Sequence, residues 1–321
     1  MSRGAAGRAA ISVHNRLGAN RQALSRVQDK VGSDQALASA ILDADRPNRV
    51  WAGGLGQWED ADERHGLSGY RYDSYGVMAG YDRMFGPFTL GGAFGYSGGD
   101  FEDKGAVAHD SSIENYAFNL YAAYNHASGF FASLVGGHVY SRNDINEFDG
   151  INWGREDYHT GTWELGAKIG HDVRPAPCLT LSPSIGLTYV NSRNSAHDLN
   201  YGGINLLSYD TMKNRSTQLP LDLSIAYDIA GADSSVFTLK GNVGYSYDFN
   251  DEGIEGSIVM NGLNGAGSLS ARGREPGRHA VNLGLGCKYV RGCLDAGLQY
   301  DYFAKADYQA HRLVGSIGVS F

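Results

Sequence analysis

The sequence predicts an all-β fold: a 12-stranded antiparallel transmembrane β-barrel with an N-terminal α-helix in its lumen. Three observations predict it. The hydrophobic period changes from about 3.6 to 2 near residue 50 and stays at 2 to the last residue. The alternating segments are even in number, and many exceed ten residues, where strands of soluble proteins peak at about five or six. The links between them alternate between tight turns and long polar loops, the layout of a membrane barrel.

Composition bounds the alternatives. The chain has 321 residues with Gly 45, Tyr 20, Phe 12 and Pro only 7. Glycine is about twice its usual ~7 %, without the three-residue period of collagen. The aromatic content of 11 % is too high for a disordered chain. The net charge of −8 argues against nucleic acid as a partner. It is unevenly spread: residues 1–30 carry Arg3, Arg8, Arg16, Arg21, Arg26 and Lys30 against Asp29 alone, so a basic leader precedes an acidic body. The opening MSRGAAGRAA has no apolar core, so it is not a signal peptide. The chain is then either cytosolic or the downstream part of a longer exported precursor, and the strand pattern favours the second.

Residues 9–31 read as a helix, with Ala9, Ala10, Val13, Leu17, Leu24, Val27 and Val31 at helical spacings. Gly32 interrupts it, and Ser33 or Asp34 can cap a short second helix over 33–44. Pro47 ends helical structure. Residues 1–48 therefore form a linker and 49–321 the barrel. Strands are expected near 49–58, 72–85, 88–98, 113–126, 129–141, 158–173, 178–193, 215–229, 234–249, 278–291, 292–304 and 308–321. In the cleanest, Leu219, Leu221, Leu223, Ile225, Tyr227 and Ile229 alternate with Pro220, Asp222, Ser224, Ala226 and Asp228. That gives an oily face and a small, polar one. Tight links fall at Gly86-Pro87, Ala127-Ser128, 174–177, 230–233 and Arg291-Gly292, and long ones at 59–71, 99–112, 142–157, 194–214 and 250–277; at that second rim only the last link, 305–307, is short. A soluble sandwich also alternates, but its outer face would carry more charge. Residues 115–141 lack Asp, Glu, Lys and Arg, yet Gly136-Gly137 and the period of 2 make them a hairpin of two spanning strands rather than a helix.

The final strand places Leu313, Ile317, Val319 and the terminal Phe321 on one face. It resembles the C-terminal targeting signal of bacterial outer-membrane barrels. A basic helix, a short linker and twelve strands ending in Phe together resemble the translocator (β) domain of a monomeric autotransporter, a type V secretion protein. Val50-Trp51-Ala52-Gly53-Gly54-Leu55-Gly56 is similar to that family's first strand and Tyr75-Gly76-Val77-Met78-Ala79-Gly80-Tyr81-Asp82 to its second. The resemblance implies a monomer in the outer membrane of a Gram-negative bacterium that exports and anchors a covalently attached N-terminal passenger. It also implies partners: the barrel-assembly machinery, periplasmic chaperones and outer-membrane lipid, lipopolysaccharide included.

The helix over 9–31 would be ~34 Å long, matching a ~30 Å hydrocarbon core, and would fit a twelve-stranded lumen as a plug. Its Arg8, Arg16, Arg21, Arg26 and Lys30 are expected to face wall acids at Asp73, Asp82, Glu164, Asp222, Asp228, Asp295 and Asp301.

No enzymatic turnover, cofactor or metal site is expected, since the ten histidines lack ligand spacing. Some autotransporters cut themselves at an Asn-Asn pair in the helix. Here Asn15, with Glu164 as helper, is the candidate, but no such pair exists. A barrel hydrolase would need an activated serine, for which His109-Asp110-Ser111-Ser112 is the nearest cluster. Omptin-like proteolysis would draw on Asp157, His159 and the Asp60–His65 loop. A passive diffusion porin is the main alternative. Cys287 is expected to face outward and Cys293 inward, without a bridge between them; Cys178 lies at the same rim.

Overall fold

The computed structural model describes residues 46–63, 68–105, 109–148, 153–201, 204–231, 235–250, 255–261, 268–272 and 277–321. The helices expected over 9–31 and 33–44, with Asn15 and the five basic plug residues, lie outside them. Seventeen strands occur among the described residues: β1 (Asn48–Ala61), β2 (Tyr70–Phe85), β3 (Phe88–Asp103), β4 (His109–Asn125), β5 (Phe130–Phe148), β6 (Trp153–His171), β7 (Val173–Ala176), β8 (Leu179–Asn194), β9 (His197–Tyr201), β10 (Ile204–Tyr209), β11 (Lys213–Ala230), β12 (Ser235–Asp248), β13 (Glu255–Met260), β14 (Ser268–Arg272), β15 (His279–Arg291), β16 (Leu294–Lys305) and β17 (Tyr308–Ser320). Twelve of them, all but β7, β9, β10, β13 and β14, wall a closed antiparallel barrel. β1 pairs with β2 on one side and with β17 on the other, from Arg49↔Ser320 to Ala61↔Tyr308. Closure leaves no edge and pairs the wall's backbone across strands, as a hydrocarbon surround requires.

The two rims differ as the sequence predicts. At the rim holding Asn48 and Phe321 the turns are tight, and Gly86 (φ 59°) and Gly292 (φ 56°) occupy the first central position of two-residue hairpins. That is where a type II′ turn needs a positive φ. At the opposite, open rim the strands run further than expected. The anticipated loops 59–71, 99–112 and 142–157 shrink to 62–69, 104–108 and 149–152. Two hairpins, β9–β10 and β13–β14, stand within the expected loops 194–214 and 250–277.

Alternation sorts the side chains. Phe94, Leu120, Leu165, Leu285 and Ile317 point outward and are at least half exposed, as a lipid-facing band must be. Their neighbours Ala93, Asn119 and Glu164 point inward and are buried. Aromatic girdles edge the band. On the open side Tyr96, Tyr116 and Tyr140 lie side by side, with ring centroids 5.2 and 6.5 Å apart. Phe88, Tyr124 and Phe130 mark the other side. Eight to ten residues separate the girdles along β3, β4 and β5. At ~3.4 Å per residue and a tilt of ~35–45°, that spans roughly the ~25 Å of an outer-membrane apolar band. Cys287, between outward Leu285 and Tyr289, faces lipid, and all three cysteines are free thiols.

The lumenal wall and the closing seam

Near the tight-turn rim the inward face of β1–β5 carries an apolar cluster of Trp51, Met78, Ala93, Tyr121, Ala123 and Val135. Its rings lie flat because glycine is placed beneath them. A Cβ on Gly80 would stand 2.6 Å from the Trp51 ring, and one on Gly91 would stand 2.3 Å from the Tyr121 ring. Trp51 Nε1 donates to the Tyr121 hydroxyl at 3.2 Å, and that hydroxyl donates to Asp82. The indole, phenol and carboxylate therefore form a buried chain across β1, β4 and β2, which satisfies polar atoms that burial would otherwise penalise.

Further round the wall, fixed charges pair on the lumenal face. Lys168 Nζ lies 2.7 Å from Asp222, Arg312 Nη2 lies 2.5 Å from Asp301, and Lys305 Nζ lies 3.3 Å from Asp248. Arg49 binds Asp295, with Lys288 Nζ 3.8 Å away. Asp228 accepts from Thr238 Oγ1 at 2.7 Å. Asp82, Glu164, Asp222, Asp228, Asp295 and Asp301 sit on the inner face. Asp73 does not. It shares the odd positions of β2 with Tyr75, Val77 and Tyr81 and stands opposite the outward Trp58, so its side chain is on the outer face near the open rim. The strand's own parity is the reason: a lumenal acid on β2 needs an even number, as Asp82 has.

The sequence reading missed the cations of the wall itself, Arg49, Lys168, Lys288, Lys305 and Arg312. Each lies in an alternating strand on the polar side, and that parity is the signal that could have found them. It also missed the clamp between Glu156 on β6 and His197 on β9. The two side chains are in contact and only 6 and 7 % exposed. The imidazole is sandwiched between Tyr158 and Tyr209, with centroids at 4.5 and 4.8 Å and nearly parallel planes. Burial lowers the His197 pKa, but hydrogen bonds to Glu156 and to the Ser195 carbonyl, with the charges of Glu156 and Asp198, outweigh it and raise the value overall. Burial foremost, and then the Glu156 charge, pushes the Tyr158 phenol up.

The candidate reactive groups are not assembled. Ser111 points into the lumen while its neighbour Ser112 points outward; the side chains of His109 and Asp110 lie outside the described residues. Asp157 and His159 both project from the outer face of β6, where Asp157 stands opposite Asp144 and His159 stacks on Tyr140. Among the described residues no group of three or more His, Cys, Asp or Glu is placed to hold a metal ion.

The seam is the join of β1 and β17. Leu313, Ile317, Val319 and Phe321 all face outward, the last 58 % exposed. Asn48 N donates to the Phe321 carbonyl at 3.1 Å, and Phe321 N donates to the Asn48 carbonyl at 2.8 Å. The terminal aromatic is therefore both a lipid-facing side chain and the last rung of the ladder.

Comparison with known proteins agrees with this geometry. The family model described as the autotransporter beta-domain matches residues 50–302. The extracellular serine protease of Serratia marcescens is 28% identical over 210 residues, covering 63% of this chain and 19% of that protein. Outer membrane protein B of Rickettsia prowazekii is 23% identical over 327 residues, covering 96% of this chain and 19% of its own. The chain thus spans about a fifth of the length of the curated relatives it matches. Among solved structures, the translocator domain of the Neisseria meningitidis autotransporter NalP superposes with a TM-score of 0.69 at 13% identity, covering 98% of both chains. The beta domain of the Bordetella autotransporter BrkA gives 0.66 at 17% identity, covering 86% of this chain and 100% of that one. The family match decides against the diffusion porin and the barrel hydrolase; translocator domains of this kind are not enzymes. A closed twelve-stranded wall, a polar lumen and this match together place the chain in the autotransporter beta-domain family, as an outer-membrane translocator domain for passenger export.

Proposed function

We propose that the domain carries an N-terminal passenger through its own lumen, anchors it, and is then plugged by a helix over residues 9–31. One observation carries the reading. The chain enters β1 at the tight-turn rim, the rim that also holds Phe321, so an upstream segment reaches the open rim only by threading the barrel. Asp222, Asp295 and Asp301 engage wall cations. Together with Asp82, Glu164 and Asp228 they form the acidic inner wall that we assign to face Arg8, Arg16, Arg21, Arg26 and Lys30 of the plug. The tight-turn rim is periplasmic in this reading. The barrel-assembly machinery takes the Phe321 strand, periplasmic chaperones shield it beforehand, and the folded unit is monomeric in a lipopolysaccharide-bearing membrane. Self-cleavage at Asn15 assisted by Glu164 is left out, because the helix lacks an Asn-Asn pair.

The test joins a signal peptide and a folded reporter upstream of residue 1 and treats intact cells with protease. Reporter cleavage at the surface is the expected result. A reporter retained in the periplasm beside a correctly inserted barrel overturns the proposal. Deleting residues 1–31 should also raise single-channel conductance, and unchanged conductance overturns the plug.

A further inference from the structure

Asn119 points into the lumen from between two apolar clusters, the one around Tyr121 and a second of Ala117, Val139 and Val190. Its side chain is 0 % exposed, and neither Oδ1 nor Nδ2 has a hydrogen-bond partner among the described residues. Ala117 and Tyr121 flank it along β4, Ala93 and Gly137 stand opposite it on β3 and β5, and Val135 and Val139 take the diagonal positions. A Cβ on Gly137 would stand 2.2 Å from Asn119 Oδ1, so the amide lies over that glycine. A buried amide has lost its water, and a surround of methyl groups and rings returns no hydrogen bond. Such a group marks the place where a second polar group belongs.

The upstream chain carries a counterpart. In the helix expected over 9–31, Asn20 stands between Leu17 and Leu24, three residues after one and four before the other. At ~100° per residue it falls with Val13, Leu17, Leu24, Val27 and Val31 in one sector of ~80°. The stripe is therefore apolar with one amide in it, as the wall is. Arg8, Arg26 and Lys30 lie away from the stripe, and Arg16 and Arg21 lie at its two edges. The lumen has the same division. Asp82 on β2 and Glu164 on β6 bound the apolar wall of β3–β5, and Asp222, Asp228, Asp295 and Asp301 lie further round. Heights also agree. Asn119 is six residues from Asn125 at the tight-turn end of β4, ~16 Å at ~3.4 Å per residue and a tilt of ~40°. Asn20 is eleven residues from Val31, ~16 Å at ~1.5 Å per residue. A helix that reaches the tight-turn rim at Val31 brings the two amides level.

Resting on the plug reading above, we propose that the helix over 9–31 docks its Val13–Val31 stripe on the inner face of β3–β5, where the Asn20 and Asn119 amides pair and fix the plug's depth and rotation. A lone Asn in the apolar seam of a coiled coil sets register in the same way, at a cost in stability. Apolar contact alone tolerates sliding. The amide pair admits one position, since a shift by one turn buries both amides against alkyl groups.

The test uses the 321-residue chain folded in detergent, with the free thiols Cys178, Cys287 and Cys293 replaced by Ser. Asn20→Cys with Asn119→Cys should form a disulfide on oxidation, which needs Cα atoms within ~7 Å. Asn20→Cys with Ser224→Cys is the control; Ser224 is on the polar face of β11, also six residues from its tight-turn end at Ala230. The first pair should cross-link at least tenfold faster. Equal rates, or a faster control, overturn the docking face. If Asn119→Cys does not fold, Ala93→Cys, directly opposite in the ladder, replaces it under the same criterion. The pairing is read in planar bilayers from the frequency of open events, with the native cysteines in place. Asn119→Leu should raise that frequency about tenfold, because it leaves Asn20 without a partner. Asn20→Leu with Asn119→Leu should bring it back toward the parent chain. A double variant as leaky as Asn119→Leu overturns the amide pair. Deleting residues 1–31 separates the two readings. Unchanged conductance overturns the plug itself, whereas raised conductance without a cross-linking preference for Asn119 overturns only its docking face.

Discussion

Lys168 Nζ lies 2.7 Å from the Asp222 carboxylate, although the two residues are on β6 and β11 with the whole of β8 between them. The reach is open because β8 presents Gly186 opposite Lys168 and the small Ser184 opposite Asp222. The pair therefore ties three strands together from the lumenal side, over a backbone that could not be so crossed if bulky side chains stood on it.

Replacing Lys168 by Met should strand the Asp222 carboxylate on a partly buried wall. Removal of one partner costs little at an exposed pair and ~3–5 kcal/mol at a fully buried one. At 22 and 12 % side-chain exposure the expected loss is between, about 1–3 kcal/mol. Urea unfolding in detergent measures it. Adding Asp222→Asn should recover part of the loss, and a double variant no more stable than Lys168→Met would refute the coupling.

Glycine under the Tyr121 ring makes a sharper contrast. Gly91→Ala sets a Cβ 2.3 Å from that ring and should destabilise the barrel by about 1–3 kcal/mol through overpacking. Gly92→Ala, next along the strand but facing lipid, meets the Leu120 side chain at 3.4 Å and the Asn119 carbonyl at 3.6 Å, both ordinary contacts, and should be close to neutral. Thermal loss of the folded gel form ranks the two, and equal effects would count against the close packing of the ring.

The clamp at His197 predicts a pH response of defined sign. The folded-state pKa is raised, so its contribution is complete below the unfolded value of about 6.5 and is lost as pH rises through the folded value. Glu156, Asp198, Tyr158 and Tyr209 are the groups facing the ring. Limited proteolysis of the β9–β10 hairpin should therefore accelerate as the pH is raised above about 6.5. In His197→Gln the rate should not change over that range beyond the protease's own pH profile.

Outside the lipid band Asp144 and Asp157 stand directly opposite each other. The hydrogen bond that protonated Asp144 donates to Asp157, then burial and the like charge, raises the Asp144 pKa, against the pull of Arg142 and Arg155. A raised acid pKa means that the ionised pair weakens the fold at neutral pH and that the penalty disappears as the pair protonates on acidification. Asp144→Asn should stabilise the barrel by roughly 0.2–1 kcal/mol at neutral pH. The gain should vanish at acid pH; a gain independent of pH would have another cause.

The wall was legible in the sequence because a lipid band enforces alternation: each of the twelve expected strands corresponds to one observed, with Leu219–Ile229 lying wholly inside β11. Legibility faded where lipid stops. Residues such as Asp100 on β3 and Ser112 on β4 extend the ladder into water, where the outer face turns polar and the lipid-facing half of the period is lost, although Phe101 and Ile113 stay buried on the inner face. The β9–β10 hairpin did leave a mark: His197, Leu199 and Tyr201 alternate before Gly202-Gly203, a two-residue turn signal. Partners across the lumen were not readable, since the Lys168–Asp222 pair depends on the stagger of three strands set by turn lengths. Asp73 shows the other failure: one position off in parity puts a carboxylate on the opposite side of the wall.

The mutual backbone bonds of Asn48 and Phe321 make the first rung and the last rung of the ladder the same rung. A copy without β17 in place then holds two naked edges, each a template for pairing with any other strand, and closure waits for β17 to meet β1. Such a cylinder inspects its own length: a copy truncated before β17 cannot seal, and it stays an open sheet recognisable as unfinished cargo.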